Sequence, residues 1–155
     1  MTTTTDVRDA RPPIAVIRVL NPVMRTVLRT PLGRFVRPFA LLEFAGRRTG
    51  RHYRVPAGWH EADGVPVVFT PAPWRANFVD GAPVTVHHRG RTFEMTGTLV
   101  TAPTDVARAL RWMFANGTPP RHVGLAMPAD HDITAADVVS VDRSMIVFTR
   151  LSGAP

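Results

Sequence analysis

Apolar positions recur along the chain with two different periods, and the change of period divides it. Ile14, Ile17, Leu20, Met24, Val27 and Leu28 follow one another at helical spacing, while Arg11, Arg18, Arg25 and Arg29 line another face. The pattern predicts a basic amphipathic helix over residues 12–30. Asn21-Pro22 at its middle, a capping residue followed by one suited to a first turn, splits it into two short helices. Residues 1–11 are polar and aperiodic and are expected to be disordered. Pro31 to Pro38, with Gly33 between them, end the helical region.

From Phe39 the spacing becomes that of strands. Phe39 to Ala45 is an apolar run suited to a buried strand, and the glycine- and arginine-rich segment Gly46 to Arg54 follows it. Tyr53 to Glu61 and Val65 to Thr70 flank Asp63-Gly64, a pair that accepts the positive φ angles of a tight hairpin turn. A second hairpin turns at Arg89-Gly90, with Val84, Val86, Phe93, Met95, Gly97 and Leu99 alternating with polar residues, which predicts one dry face. Val106, Leu110, Met113 and Phe114 form the stripe of a helix over 104–116, capped by Thr104 and ended by Asn116-Gly117. Residues 118–132 read as a loop. Thr134 and Asp137 have capping-box spacing, and Met145 to Phe148 read as a closing strand. Together these elements predict an α+β, mainly β domain over residues 12–152. Five or six strands, mostly joined by hairpins, fit a single antiparallel barrel with peripheral helices, because closure removes the exposed edges of so small a sheet.

Composition adds little to the fold but much to the choice of partner. The chain has 155 residues, of which 45% are hydrophobic, enough for one self-sufficient core. Cysteine is absent, which removes disulfides and thiolate chemistry. No run approaches the roughly 18 apolar residues that span a bilayer, and Met1 to Asp6 does not begin like a signal peptide, so a cytoplasmic location is expected. The formal charge of +7 contains no lysine; residues 1–60 carry eleven arginines against three acids, and residues 61–155 eight against nine. The first third therefore calls for an anionic partner: a phosphorylated small molecule, a membrane surface or a nucleic acid.

The chemistry-bearing motifs are few. No nucleophile elbow, nucleotide-phosphate loop, dinucleotide fingerprint or His-Glu-x-x-His is present, which argues against hydrolase, nucleoside-triphosphatase, Rossmann and zincin readings. His87 and His88 are adjacent on a strand and point to opposite faces, so no metal site is expected. Gly46-Arg47-Arg48-Thr49-Gly50-Arg51-His52-Tyr53-Arg54 combines free backbone, a hydroxyl and forked guanidinium groups, which are the parts of a phosphate-binding loop or, equally, of a solvated turn. Trp74 and Asn77 share a face at i, i+3 and could wall and hydrogen-bond a planar ring, or plug the barrel end and cap a turn.

The order Leu41-Leu42, Gly46-Arg47-Arg48-Thr49-Gly50, Arg54, Pro56, a hairpin, Trp74-x-x-Asn77-Phe78 and Pro83-Val84-Thr85-Val86 resembles the deazaflavin (F-420)-dependent nitroreductase family of split β-barrel oxidoreductases. The likeness covers roughly residues 20–100 and implies that the α+β, mainly β domain is a split β-barrel, an antiparallel six-stranded Greek-key-like barrel with peripheral helices. It implies that 39–100 bind coenzyme F-420, with Arg47, Arg48, Thr49 and Arg54 on its phosphate and acidic tail. Pro56 and Ala57 would floor the ring, Phe69, Thr70, Pro71 and Ala72 would run along its edge, and Trp74, Asn77 and Phe78 would close the site. The implied reaction is hydride transfer to a small hydrophobic acceptor such as a quinone, nitro compound or activated alkene. Such chemistry rests on positioning, so no catalytic base is named. An FMN-binding split-barrel oxidoreductase and a non-enzymatic lipid-binding module are the alternatives. Residues 12–30 could place either kind of protein on the anionic inner face of the membrane. Nucleic acid is not expected, because no aromatic residues interleave with the arginines as a stacking surface would. The chain would act as a monomer or a homodimer.

Overall fold

The computed structural model describes residues 7–9, 29, 39–128 and 130–151. Its strands are β1 (Arg8–Asp9), β2 (Phe39–Ala45), β3 (His52–Gly58), β4 (His60–Ala62), β5 (Val65–Thr70), β6 (Ala82–His88), β7 (Arg91–Val100), β8 (Leu125–Ala126) and β9 (Ser144–Arg150). A long helix spans Pro103–Ala115 and a short one Ala135–Ser140, and 3-10 turns span Pro73–Phe78 and Pro120–Val123.

Seven strands form one antiparallel sheet in the order β3-β2-β6-β7-β9-β5-β4. The two ends of that order are consecutive in sequence, separated only by Trp59. One bent strand over 52–62 therefore supplies both edges, pairing with β2 along its first half and with β5 along its second, and the sheet closes as a six-stranded split barrel. The sequence predicts this strand as one unbroken run. The break falls at Trp59, whose ring turns onto Phe148 at 4.8 Å and His88 at 5.5 Å between centroids.

Both hairpins turn where the sequence places them. Asp63 and Gly64 adopt φ of 51° and 79°, and Arg89 and Gly90 adopt 54° and 74°. Positive φ at both central positions gives a turn whose twist matches the flanking strands.

Alternation then separates two cores. Ala40, Leu42, Phe44, Ala57, Val68, Phe78, Val84, Val86, Met95, Ile146 and Phe148 fill the barrel. On the outer face of β4, β5 and β9, Ala62, Val67 and Met145 pack under Val106, Leu110 and Met113 of the long helix and Val138 of the short one. Each such large side chain contributes about 1.5–3 kcal/mol by leaving water. Gly97 is fixed by this packing: a Cβ there would lie 2.7 Å from Phe78 Cδ1.

Three expectations are corrected. The long helix begins at Pro103 with Ala102 as N-cap and no side-chain cap, so Thr104 lies inside its first turn. Proline fits that position because its missing N–H would have no helical partner. The stretch 118–132 contains a 3-10 turn and β8, and β8 pairs with β1. Residues 7–9 are therefore ordered, and Val7 is 3% exposed within the outer core. The capping box of the short helix forms as expected, with Thr134 Oγ1 accepting from the Asp137 N–H and Asp137 Oδ2 accepting from the Thr134 N–H at 2.8 Å. Of the basic stretch 12–30, only Arg29 is among the described residues.

Candidate functional site

The loop between β2 and β3 is closed on itself by two backbone hydrogen bonds. Gly46 N–H donates to the Arg51 carbonyl at 2.7 Å, and Gly50 N–H donates to the Gly46 carbonyl at 2.9 Å. Gly50 takes φ of 70°. Gly46 is required by contact: a Cβ would sit 2.8 Å from Tyr53 Cε2. Arg47, Arg48, Thr49 and Arg51 project from this small frame and are exposed. Thr49 Oγ1 accepts from the Arg51 N–H at 3.3 Å, and the Arg51 guanidinium lies 5.9 Å from the centre of the Tyr53 ring.

The 3-10 turn Pro73–Phe78 meets the loop from across the barrel end. Asn77 Oδ1 accepts from the Arg47 N–H at 2.8 Å, and Asn77 Nδ2 donates to the Trp74 carbonyl at 2.8 Å. Beneath them Phe44 stacks on Tyr53 at 5.2 Å and meets Phe78 edge-on at 4.8 Å and Trp74 at 5.9 Å. Four aromatic rings thus seal this end of the barrel, and Trp74 and Tyr53 stay partly exposed beside the arginines. The approach to the turn is held too. Thr70 Oγ1 accepts from the Ala72 N–H at 3.0 Å, and Arg75 Nη1 donates to the carbonyls of Thr70 and Asp142.

The structure therefore brings Arg47, Arg48, Thr49, Trp74 and Asn77 together, with Thr70, Pro71 and Ala72 leading into the turn. The other expected residues lie elsewhere. Phe78 is fully buried in the barrel, and Ala57 points into the same interior opposite Ala40. Pro56 is on the opposite face of that strand, opposite Leu41. Phe69 packs into the outer core, its ring 6.2 Å from His60. Arg54 is drawn onto the outer sheet face, where its Nε lies 3.3 Å from Glu43 Oε1.

Glu43 was not singled out by the sequence, and it organises that face. Arg29 Nε lies 3.6 Å from its Oε1, and His87 Nε2 lies 3.2 Å from its Oε2. The register explains the gathering: Glu43 is opposite Arg54 on one side and Thr85 on the other, and Thr85 opposite Glu94, whose carboxylate accepts from Thr85 Oγ1. An acid on an otherwise apolar strand was the available signal. A shallow depression of about 250 Å³ opens beside this row, lined by Glu43, Ala45, His52, Pro83, Thr85 and Glu94. It is smaller than a typical cofactor pocket and carries two carboxylates, the wrong sign for an anionic coenzyme.

Three groups are shifted in pKa, and the first is His88, which burial pushes below its ordinary value despite its hydrogen bond to the Phe39 carbonyl. Burial in the outer core, reinforced by nearby His122, pushes His60 down to about 4 despite the hydrogen bond its ring donates to the His122 backbone. Burial pushes Asp137 upward, but hydrogen bonds from His131 and from the Thr134 backbone and hydroxyl hold its carboxyl below the usual range. His60 is on β4, beneath the helical layer, and Asp137 is in the short helix. Among the described residues no group of three or more acids and histidines could hold a metal, and no helix is long and apolar enough to cross a membrane.

No protein-family model and no curated protein matches the chain. Solved structures similar to it include a domain-swapped dimer, at 16% identity over 89% of this chain and 100% of the other, with a TM-score of 0.49. The conserved hypothetical protein Rv2991 from Mycobacterium tuberculosis matches at 12% over 92% and 82%, with a TM-score of 0.46. An F-420 reductase matches at 15% over 83% and 93%, with a TM-score of 0.42.

Proposed function

We propose that the chain is an F-420-dependent oxidoreductase of the split-barrel nitroreductase kind, and that the arginine loop holds the anionic tail of the coenzyme. The observation that carries this reading is the link through Asn77. It joins the Gly-Arg-Arg-Thr-Gly loop to the Trp-x-x-Asn turn, 30 residues away, so that two motifs which resemble the family separately form one site.

The residues fit such a coenzyme. Arg48 and Arg51 have no carboxylate partner among the described residues, so their charge is available to phosphate and carboxylate groups. The Thr49 hydroxyl keeps donor capacity, since it only accepts within the loop. Trp74 and Tyr53 offer partly exposed aromatic surface next to those charges, and the packed barrel interior behind them keeps water from that side. The bound coenzyme would supply a hydride to an electron-poor acceptor such as a quinone, nitro compound or activated alkene. The chain's share is to anchor the tail, orient a planar partner and exclude water.

The test is a titration of the purified protein with F-420, followed by the coenzyme's fluorescence, with saturation expected at micromolar concentration. No binding at tens of micromolar overturns the proposal. A yellow protein carrying FMN on purification replaces the deazaflavin with a flavin on the same fold. Liposome sedimentation with and without residues 1–31 addresses attachment to anionic membranes, where equal pelleting of the two rejects it.

A further inference from the structure

The geometry points to Asn77 as a positioning residue: its amide clasps the arginine loop to the Trp74 turn and so sets the spacing between the tail-binding and ring-binding parts of the site, without itself touching the coenzyme. The inference rests on the coenzyme reading above for what is positioned, and on the structure alone for the clasp.

The amide is committed at both ends, accepting from the Arg47 N–H and donating to the Trp74 carbonyl, each at 2.8 Å. Its orientation is fixed by its partners, because a backbone N–H can only donate and a carbonyl can only accept. The two sides it joins are not equally anchored. Phe78 is fully buried against Gly97, and Arg75 ties the turn to Thr70 and Asp142, so the turn belongs to the barrel. The loop is rooted at its base in the β2–β3 ladder, which runs up to Ala45 and His52, and beyond that its backbone hydrogen bonds close it only on itself. Its other tie is the Arg47–Asp80 pair at 4.0 Å between exposed side chains, a contact of little strength. Without Asn77 the loop would therefore keep its shape and its root on the ladder, and lose its fixed spacing from the turn.

The experiment has two parts. In the ligand-free protein, amide hydrogen exchange is compared for wild type, Asn77→Ala and Asn77→Asp. The Arg47 amide should exchange roughly tenfold faster in N77A, the loss of one hydrogen bond. It should stay protected in N77D, which keeps the acceptor, while the Gly46 and Gly50 amides stay protected in both. Unchanged exchange at Arg47 in N77A overturns the clasp, as does an equal loss at all three amides. In the second part, N77A is titrated with whole F-420 and with the deazaflavin chromophore lacking phosphate and glutamates. A clasp predicts roughly tenfold weaker binding of the whole coenzyme and binding of the bare chromophore within twofold of wild type. Equal losses for both mean that Asn77 contacts the ring, which overturns the positioning role. If wild type binds neither ligand while N77A still exposes the Arg47 amide, the coenzyme reading fails and the clasp stands.

Discussion

Arginines only a few residues apart meet two different fates. In the loop after β2, Arg48 and Arg51 have no acidic partner among the described residues, and Arg47 meets Asp80 only at 4.0 Å. On the outer face of β2, Arg54 from β3 and Arg29 from the preceding segment converge on Glu43, whose side chain is 15% exposed and also takes His87. The charge count is similar and its availability is not. An arginine already paired must break that contact to serve a ligand, whereas one in water gives up only hydration. The chain's positive balance is thus divided into charge offered to a partner and charge used for the fold.

The largest effect should come from removing the offered charge. Arg48→Ala combined with Arg51→Ala takes away two charge-assisted contacts of about 1.5 kcal/mol each, a loss of roughly 100-fold in F-420 affinity. Titration at two salt concentrations should also show a shallower ionic-strength dependence than wild type. A loss below threefold would place the tail elsewhere and dissolve the contrast.

His60 sharpens the comparison as a site where charge is refused. Unfolded, it takes a proton near pH 6.5; folded, burial delays this until about pH 4. Between those values the unfolded chain binds more protons, so the stability contributed by neutral His60 is complete above pH 6.5 and is lost as pH falls toward 4. The loss is on the order of 2 kcal/mol, the full linkage being reduced because part of the ring is exposed. Urea unfolding of wild type and His60→Gln at pH 7, 5.5 and 4.5 should show the steeper decline in wild type. Parallel curves would mean that the folded ring accepts its proton freely.

Glu43→Gln tests the charge used for the fold. Removing the carboxylate should lower stability by about 1 kcal/mol, a small effect because Arg54 and Arg29 are nearly half exposed and regain water. Thermal melts should show the difference shrinking as salt rises. No change at any salt concentration would make the cluster incidental.

How much of this was legible in the sequence depends on how local each signal is. The turns at Asp63-Gly64 and Arg89-Gly90, the capping box at Thr134 and Asp137, and the dry face of Val84, Val86 and Met95 are written in spacings of two to four residues, and all are found. β1 was missed because Val7 gains its order from Leu125, far along the chain, and two strand residues leave no period to read. Facing was half legible. Alternation puts Pro56 and Ala57 on opposite faces, so a motif that runs along a strand cannot present all of its side chains to one ligand. The closeness of Trp74 and Asn77 to Arg47 was suggested by motif order; that the contact is made by the Asn77 amide could come only from three-dimensional placement.

Arg54→Ala should have the smallest effect of the four, and it bears most directly on how far a motif can be carried over residue by residue. By its place in the motif Arg54 belongs with the loop arginines, and its loss should then weaken F-420 binding about tenfold, as a lost charged hydrogen bond does. By its place in the structure it belongs to Glu43, on the outer face that also carries Glu94 and Thr85. The substitution should then leave F-420 affinity within twofold of wild type and cost less than about 1 kcal/mol in stability, since Arg29 and His87 continue to hold Glu43. A tenfold loss of affinity without loss of stability would show Arg54 leaving Glu43 for the coenzyme when it binds. The division between offered and used charge would then hold only for the free protein.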